Sequence, residues 1–358
     1  MRSTVGDGSA GVPQRRRRKM QRVTMTEVAR LADVSPSTVS LFLRRPADVQ
    51  ADTGARIREA VERLGYVANC FAGGLAAATS PVVSVIVPSL RNDFFAETVA
   101  TLQSALASAG LQVLLGHSEY ALDQEEALVR TALSWAPAAI VLTGLEHSRS
   151  TRRLLLAADV PVVEMWELAG EPIDMAVGFA HRDVGAALTR HLLERGHRHI
   201  AFLGAHLHED RRARQRADGY VEALRAAGAR EPMVLGHPDT ASTEAGRTLL
   251  ARVLAEAPDA DALVCSNDLI ALGVLFECQR QGVVVPERLS VAGFGDLPFA
   301  MSCVPPLTTV RPRGDLIGRR VAELIMRQRG PDGLAAAERV QDTGFALIER
   351  ASVADRRR

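Results

Sequence analysis

Two textures of hydrophobic patterning divide the chain. From Thr24 the apolar positions recur at helical spacing. Thr24 with Glu27 three residues on has the form of a capping box, and Val28, Ala29 and Leu31 supply one apolar face. The pattern breaks at Ala32-Asp33-Val34. Ser35 then stands as the cap of a second helix with Pro36 at its first position, where a missing N–H costs nothing. A third helix is predicted from Thr53 to Leu64, with Ala55, Ile57, Ala60, Val61 and Leu64 inward and Gly65 as its stop. Two short helices joined by a tight turn, the second opening on small polar residues, make a helix-turn-helix.

From Val82 the texture changes to short apolar runs alternating with amphipathic stretches. The predicted strands are 82–87, 113–115, 139–142, 162–165, 176–179, 199–203, 262–265 and 290–294. Near-continuous apolar strands separated by helices predict parallel sheets covered on both faces. Ligands in such folds bind beyond the carboxyl ends of the strands. The expected fold class is a small all-α headpiece followed by an α/β core of doubly wound parallel-sheet lobes.

Charge sharpens this division. The chain of 358 residues has a net charge of only +1. Residues 1–80 nevertheless hold 13 Lys/Arg against 7 Asp/Glu, so the front carries +6 and the remainder −5. A basic front on an acidic body points to a front that meets phosphate. Residues 1–21 are polar, rich in Gly and Ser, and include the run Arg15–Lys19; the two readings are a disordered basic arm and a stretch ahead of a start at Met20, which sits just before the first ordered motif. They lack the apolar stretch of a secretory signal, and no run approaches the roughly 18 apolar residues of a membrane helix, so a cytoplasmic protein without a membrane partner is expected.

Enzyme and cofactor chemistry find little support. No G-x-G-x-x-G or Walker motif opens a strand–helix turn, and neither Asn267-Asp268 nor the histidines around Gly196 form a nucleophile–base arrangement. Cys70, Cys265, Cys278 and Cys303 lie far apart without metal-ligand spacing and are expected as reduced packing residues. No cofactor and no metal are expected.

The stretch Val23–Ser40 (VTMTEVARLADVSPSTVS) and the heptapeptide Arg63–Asn69 (RLGYVAN) resemble the headpiece signature of the lactose-repressor/galactose-repressor (LacI/GalR) family. Further likenesses are Arg195–Ile200 (RGHRHI), Ser266-Asn267-Asp268, Val291–Phe294 (VAGF) and Pro306–Val310 (PLTTV). The resemblance spans roughly residues 22–350. Within the family it runs to the gluconate-utilisation branch, through Val87–Leu90 (VPSL), Phe94–Glu97 (FFAE), Leu133–Trp135 (LSW), Pro161–Glu164 (PVVE), Ala176–Phe179 (AVGF) and Phe276–Arg280 (FECQR).

This resemblance implies a DNA-binding transcriptional regulator, a repressor of a sugar-acid operon. Its parts would be an arm (1–21), a headpiece (22–67), a hinge (68–80) and a two-lobed, periplasmic-binding-protein-like core (81–350) that closes on an effector and dimerises. The implied partners are double-stranded operator DNA, a small sugar or sugar-acid effector and a second copy of the chain. The DNA-contacting set carried over is Thr24, Ser35, Pro36, Ser37, Thr38, Ser40, Leu41 and Arg44, with Asn69 and Leu75 in the hinge, Leu75 as a wedge between base pairs. The effector set is Phe95, Phe179, Arg211, Arg212, Arg216, Asn267, Asp268 and Asp296. In that set the aromatics are walls, the Asn and Asp residues meet hydroxyls, and the arginines meet an acid.

The chain departs from the family pattern in three places. Leu41 stands where most members carry Arg, the usual bidentate reader of guanine. In the hinge, Ala68 and Cys70 replace a common Pro and Arg, and Gly73-Gly74 would each disfavour a helix by about 1 kcal/mol relative to Ala. Gly295 replaces an Asp, while Arg211, Arg212, Arg214 and Arg216 crowd one loop and helix start. Losing an acid and gaining guanidinium groups favours an anionic effector. The competing readings are a solute-binding protein with the same core, which should begin with a signal peptide and lack Val23–Ser40, and a repressor that answers to a neutral sugar.

Overall fold

The computed structural model describes residues 23–67, 80–90, 93–330 and 333–357. The chain divides into two compact units, residues 1–76 and 77–358. The expected arm, Asn69, Leu75 and nearly all of the expected hinge lie outside the described residues.

The headpiece has three helices, α1 (Met25–Ala32), α2 (Pro36–Arg44) and α3 (Ala51–Leu64). The capping box forms as a reciprocal pair: Thr24 N–H donates to Glu27 Oε2 at 2.7 Å and Glu27 N–H to Thr24 Oγ1 at 3.4 Å. Asp33 ends α1 in the left-handed region with φ 52°. Ser35 Oγ then accepts from Thr38 N–H at 3.1 Å and starts α2. Val28, Ala29, Ala32, Val39, Ile57 and Ala60 form the buried centre. Two expected core positions differ. Leu31 is 41% exposed and Ala32 is buried instead. Ala55 is exposed and Gly54 is inward, because Phe42 lies against it; a Cβ at residue 54 would meet the ring at 2.8 Å.

The second unit has two lobes. The first begins with β1 (Val82–Val87), α4 (Ala96–Ala107), β2 (Gln112–His117), α5 (Leu122–Ser134), β3 (Ala139–Thr143), α6 (Arg149–Ala157), β4 (Val162–Met165) and β5 (Met175–Gly178). The second has α7 (His181–Glu194), β6 (Ile200–Ala205), α8 (Arg211–Ala226), β7 (Met233–His237), α9 (Thr243–Glu256), β8 (Ala262–Cys265), α10 (Asp268–Gln281), β9 (Ser290–Phe294) and β10 (Thr308–Pro312). The chain then returns through α11 (Gly314–Gln328) and β11 (Val340–Asp342) to the first lobe and ends with β12 (Phe345–Ile348) in the second. Three segments therefore connect the lobes.

The first sheet runs β11-β5-β4-β3-β1-β2 and is wholly parallel. The second runs β12-β10-β9-β8-β6-β7 and is parallel except for β12, which pairs antiparallel with β10. Strands β1, β3, β4, β8 and β9 are buried almost throughout, as their apolar runs require. Covering on both faces fails at the edges, where Leu114 and Leu115 of β2 and Val234 of β7 stay 40–42% exposed.

Four strands, β7, β10, β11 and β12, have no counterpart among those predicted. In β10 the reason is chemical: Thr308 and Thr309 are fully buried because their hydroxyls find partners in Arg350 O and the Asp268 carboxylate. The strand therefore needs no apolar run. Cys265 and Cys278 pack in the second lobe's core. Among the described residues no helix is long and apolar enough to cross a membrane.

Helices α7 and α8 cross at two glycines. A Cβ at Gly185 would stand 1.9 Å from the Arg216 carbonyl oxygen, and one at Gly219 the same distance from that of Arg182. Only hydrogen fits at either position, and the contact fixes the backbone from which Arg216 projects.

Candidate functional site

On the headpiece, the exposed start of α2 gathers three hydroxyls. Ser35 Oγ lies 2.7 Å from Ser37 Oγ and 2.8 Å from Thr38 Oγ1. Pro36 is exposed beside them, Ser40 and Leu41 are half-buried, and Arg44 is exposed with Nε donating to Ser40 O at 3.2 Å. Thr24 is exposed although its side chain serves the cap of α1. A helix N-terminus with small hydroxyl side chains offers N–H and O–H donors to a phosphate or base edge at close approach.

In the core, the carboxyl ends of both sheets face one cleft made of three adjoining cavities. The central one has about 30 Å³ and is lined by Phe94, Phe95, Tyr120, Trp166, His181, Asp210, Arg212, Arg216, Asn267 and Phe294. A cavity of about 190 Å³ shares Tyr120 and Arg212 with it and adds Ser118, Thr143 and the acids Glu125, Glu146, Glu167 and Glu209. One of about 400 Å³ shares Phe94 and Trp166 and adds Glu97, Asp296 and Arg311.

Arg216 is the electrostatic centre. It is 4% exposed; its Nε donates to Ser266 O at 3.0 Å and its Nη1 to His181 Nδ1 at 2.8 Å. The guanidinium carbon lies 4.2 Å from the centre of the Phe294 ring. Among the described residues no carboxylate pairs with it. Burial consequently lowers its pKa to about 10, with Asp210 opposing and Arg212 reinforcing the shift. Arg212, less deeply buried, behaves oppositely: burial pulls it down, but Asp210 and its other anionic neighbours outweigh that and raise it. Counting side chains that line the central cavity, Arg212 and Arg216 against Asp210 leave it one positive charge.

The first turns of α8 also reach across to the other lobe. Arg211 Nε lies 3.3 Å from Glu167 Oε1, Arg212 Nη1 donates to Thr143 O at 3.3 Å, Arg214 lies 3.8 Å from Glu146, and Gln215 Nε2 donates to Glu167 Oε1 at 2.6 Å. Arg211 is therefore engaged between lobes as well as lining the 190 Å³ cavity.

Several expected contacts are placed otherwise. Phe95 lines the central cavity, but Phe179 is fully buried behind it, packed among His181, Phe294, Phe345 and Trp166. It supports the wall and is not part of it. Asn267 lines the cavity while its Oδ1 caps α10 by accepting from Ile270 N–H at 3.1 Å. Asp268 faces away: its carboxylate accepts from Thr309 Oγ1 at 2.6 Å and Leu297 N–H at 2.9 Å, at zero exposure. Asp296 is spent on Arg311 and on Arg350, the latter at 2.7 Å, and borders only the 400 Å³ cavity. Asp268 is thus turned away from the cleft, and Asp296 meets it only at the 400 Å³ cavity. Glycine at 295 also has a steric reason: φ is +132°, and a Cβ would stand 2.4 Å from Phe94, whose ring stacks on Phe294 at 5.9 Å.

Sequence reading missed His181, Trp166, Tyr120, Glu167 and Phe94. Trp166 sits at φ +71°, a conformation held at the end of β4 by its surroundings and not readable locally. His147 was equally silent; it is wedged between Glu125 at 2.7 Å and Glu164 at 3.1 Å beside the 190 Å³ cavity.

A stability prediction arises from Asp268. Asp268→Ala strands a buried hydroxyl and a buried N–H and is expected to lower unfolding free energy by about 2–4 kcal/mol, measured by urea denaturation. Burial raises this carboxyl from 3.8 to about 6 despite the two hydrogen bonds. The folded state then holds the proton more tightly than the unfolded chain, so ionisation of this group opposes folding as pH rises from about 4 to about 6. Asp268→Asn should remove that slope; a slope unchanged in the Asn variant would assign it to other groups.

Known proteins agree with this architecture. Residues 24–69 match the lacI family of bacterial regulatory proteins, and residues 189–353 match a periplasmic binding protein-like domain. The HTH-type transcriptional regulator GntR of Pseudomonas aeruginosa is 40% identical over 336 residues, covering 92% of this chain and 96% of that protein. The HTH-type transcriptional regulator IdnR of Escherichia coli K12 is 34% identical, covering 85% and 91%. Among solved structures, a LacI family transcriptional regulator from Silicibacter pomeroyi superposes with TM-score 0.87 at 33% identity, covering 93% of this chain and 99% of that one. The transcription regulator GntR from Chromobacterium violaceum does so with TM-score 0.72 at 43% identity, covering 76% and 98%. A helix-turn-helix headpiece, a two-lobed core open at its strand ends and relatives alike along nearly their whole length lead to one assignment: this chain belongs to the lacI family of bacterial regulatory proteins, DNA-binding transcriptional regulators and not enzymes.

Proposed function

We propose that the protein is a homodimeric repressor of a sugar-acid utilisation operon, whose effector is an aldonate such as gluconate bound in the core cleft. The observation that carries the effector class is Arg216, a deeply buried guanidinium without a carboxylate partner among the described residues, in a cavity whose lining is net positive. A buried charge is stable when paired, so the site favours a ligand that brings the anion. The hydroxyls of such a ligand find acceptors in the neighbouring 190 Å³ cavity, at Ser118, Thr143, Glu146 and Glu209. The likeness to regulators named GntR and IdnR supports the same class.

Isothermal titration of gluconate, related aldonates, glucose and galactose tests this. Binding of an aldonate that changes operator affinity is expected. Tight binding of a neutral sugar, with no response to any acid, would overturn the effector class and leave the family intact.

Leu41 bears on the operator. It is half-buried on the recognition helix and lacks any donor. Leu41→Arg is expected to shift preference toward guanine facing that position by about 1–3 kcal/mol per half-site. Selection from randomised sites checks it, and identical consensus sequences for the two proteins would show that residue 41 does not read bases.

A further inference from the structure

We propose that His181 is a positioning residue that aims Arg216 at the bound anion. This rests on the reading that the effector is an acid held by Arg216. His181 is the first residue of α7, where the chain has just left the first lobe's sheet, and it is 1% exposed. Its Nε2 lies 2.8 Å from Trp166 O and its Nδ1 2.8 Å from Arg216 Nη1. A carbonyl oxygen only accepts and a guanidinium only donates. Both contacts are therefore made by a single species, the neutral imidazole with its proton on Nε2. An imidazolium would turn an N–H against the guanidinium. Burial, with Arg216 and Arg212 adding to it, holds the ring's pKa well below the usual histidine value, in keeping with that species.

The ring itself is clamped, with centroids 4.6 Å from Phe179 and 5.7 Å from Phe294. The acceptor it presents to Arg216 is thus fixed. With Nε bound to Ser266 O and one N–H of Nη1 bound to His181, the guanidinium keeps three N–H groups, one on Nη1 and two on Nη2. One from each Nη is the pair that the proposal assigns to the carboxylate of a ligand. The guanidinium carbon rests 4.2 Å from the centre of the Phe294 ring, and the hydrogen bonds to Ser266 O and His181 set how the group is turned. The relay Trp166 O to His181 to Arg216 also ties a residue of the first lobe to the anion-reading residue of the second. Without His181 the guanidinium keeps its charge but loses one of the two hydrogen bonds that orient it.

The test is a double-mutant cycle read by isothermal titration with gluconate on the full chain. His181→Ala is expected to weaken binding about tenfold, the weight of one charge-assisted hydrogen bond. His181→Asn, which returns an acceptor near the position of Nδ1, should recover most of that loss. Arg216→Ala should weaken binding by roughly one to two decades, and adding His181→Ala to it should cost nothing more, because there is no guanidinium left to aim. A merely structural histidine would lower affinity equally in both backgrounds, and that result would overturn the proposal, as would unchanged affinity in His181→Ala. If His181→Ala does not fold, His181→Phe keeps the ring packing while removing both nitrogens, and the same cycle is run with it. Should Arg216→Ala itself leave gluconate binding intact, the acid-at-Arg216 reading falls and this inference with it. A loss at Arg216 without coupling to residue 181 sinks the inference alone.

Discussion

Operator affinity is expected to fall by about three to five decades between roughly 50 and 200 mM salt, the consequence of releasing counterions from some six to ten neutralised phosphates. The distribution of charge says where those contacts originate. Residues 23–67, which hold all three headpiece helices, contain six Arg and six Asp/Glu, so the folded headpiece is neutral overall. The whole +6 of the front belongs to residues 1–22, through Arg2, the run Arg15–Lys19 and Arg22, less Asp7. Deleting residues 2–22 should therefore flatten the plot of log affinity against log salt by several units of slope and weaken non-specific DNA nearly as much as operator. Fluorescence anisotropy on operator and scrambled duplexes across a salt series measures both. A slope unchanged by the deletion would place the phosphate contacts on the folded headpiece; a flat plot for the full chain would contradict the regulator's electrostatic mode of binding.

The second large effect is expected in the core. Gly219→Ala places a methyl group where the Arg182 carbonyl oxygen stands 1.9 Å away. Neither partner is a flexible side-chain end, so α7 and α8 must move apart along the crossing. The expected loss is about 3 kcal/mol or more, at the upper end of overpacking effects. Gly185→Ala meets the Arg216 carbonyl at the same distance, so the fraction that remains folded should also bind effector more weakly. Thermal unfolding by circular dichroism gives the first quantity and titration the second. Gly170→Ala is the control, since a Cβ there makes only an ordinary contact with Leu145 at 3.4 Å. Equal melting temperatures for Gly219→Ala and the control would show that the helix pair tolerates separation.

How much of this was legible in the chain depends on whether the signal is local. The capping box at Thr24 and Glu27, the Ser35-Pro36 start of α2 and the stop at Gly65 are all short-range devices, and each appears in the structure at the residues that encode it. Strands β1, β4, β8 and β9 match their predicted spans to the residue because a strand buried on both faces reads as a mostly apolar run, broken here only by buried polar residues such as Ser84, Glu164 and Ser290. The basic front and the cluster Arg211, Arg212, Arg214 and Arg216 were equally open to reading, since charge and spacing need no partner to be seen.

What only the tertiary structure decided is the fate of polar groups whose partners are distant in sequence. Asp268 and Asp296 carry the same carboxylate as any ligand-binding acid, but Thr309 and Leu297 occupy one, and Arg311 and Arg350 the other. Arg212 and Arg216 stand four residues apart on one helix and look alike in the chain; Asp210 and its anionic neighbours compensate the first, while the second faces Ser266, His181 and Phe294 with no carboxylate paired to it among the described residues. His181 gave no signal at all, because its role is set by Trp166 fifteen residues before it and Arg216 thirty-five after. Helix and strand periodicity follow from each residue's own backbone and neighbours. Whether a buried charge is satisfied depends on which atoms the fold brings within hydrogen-bond reach, and that is a property of the assembled lobes.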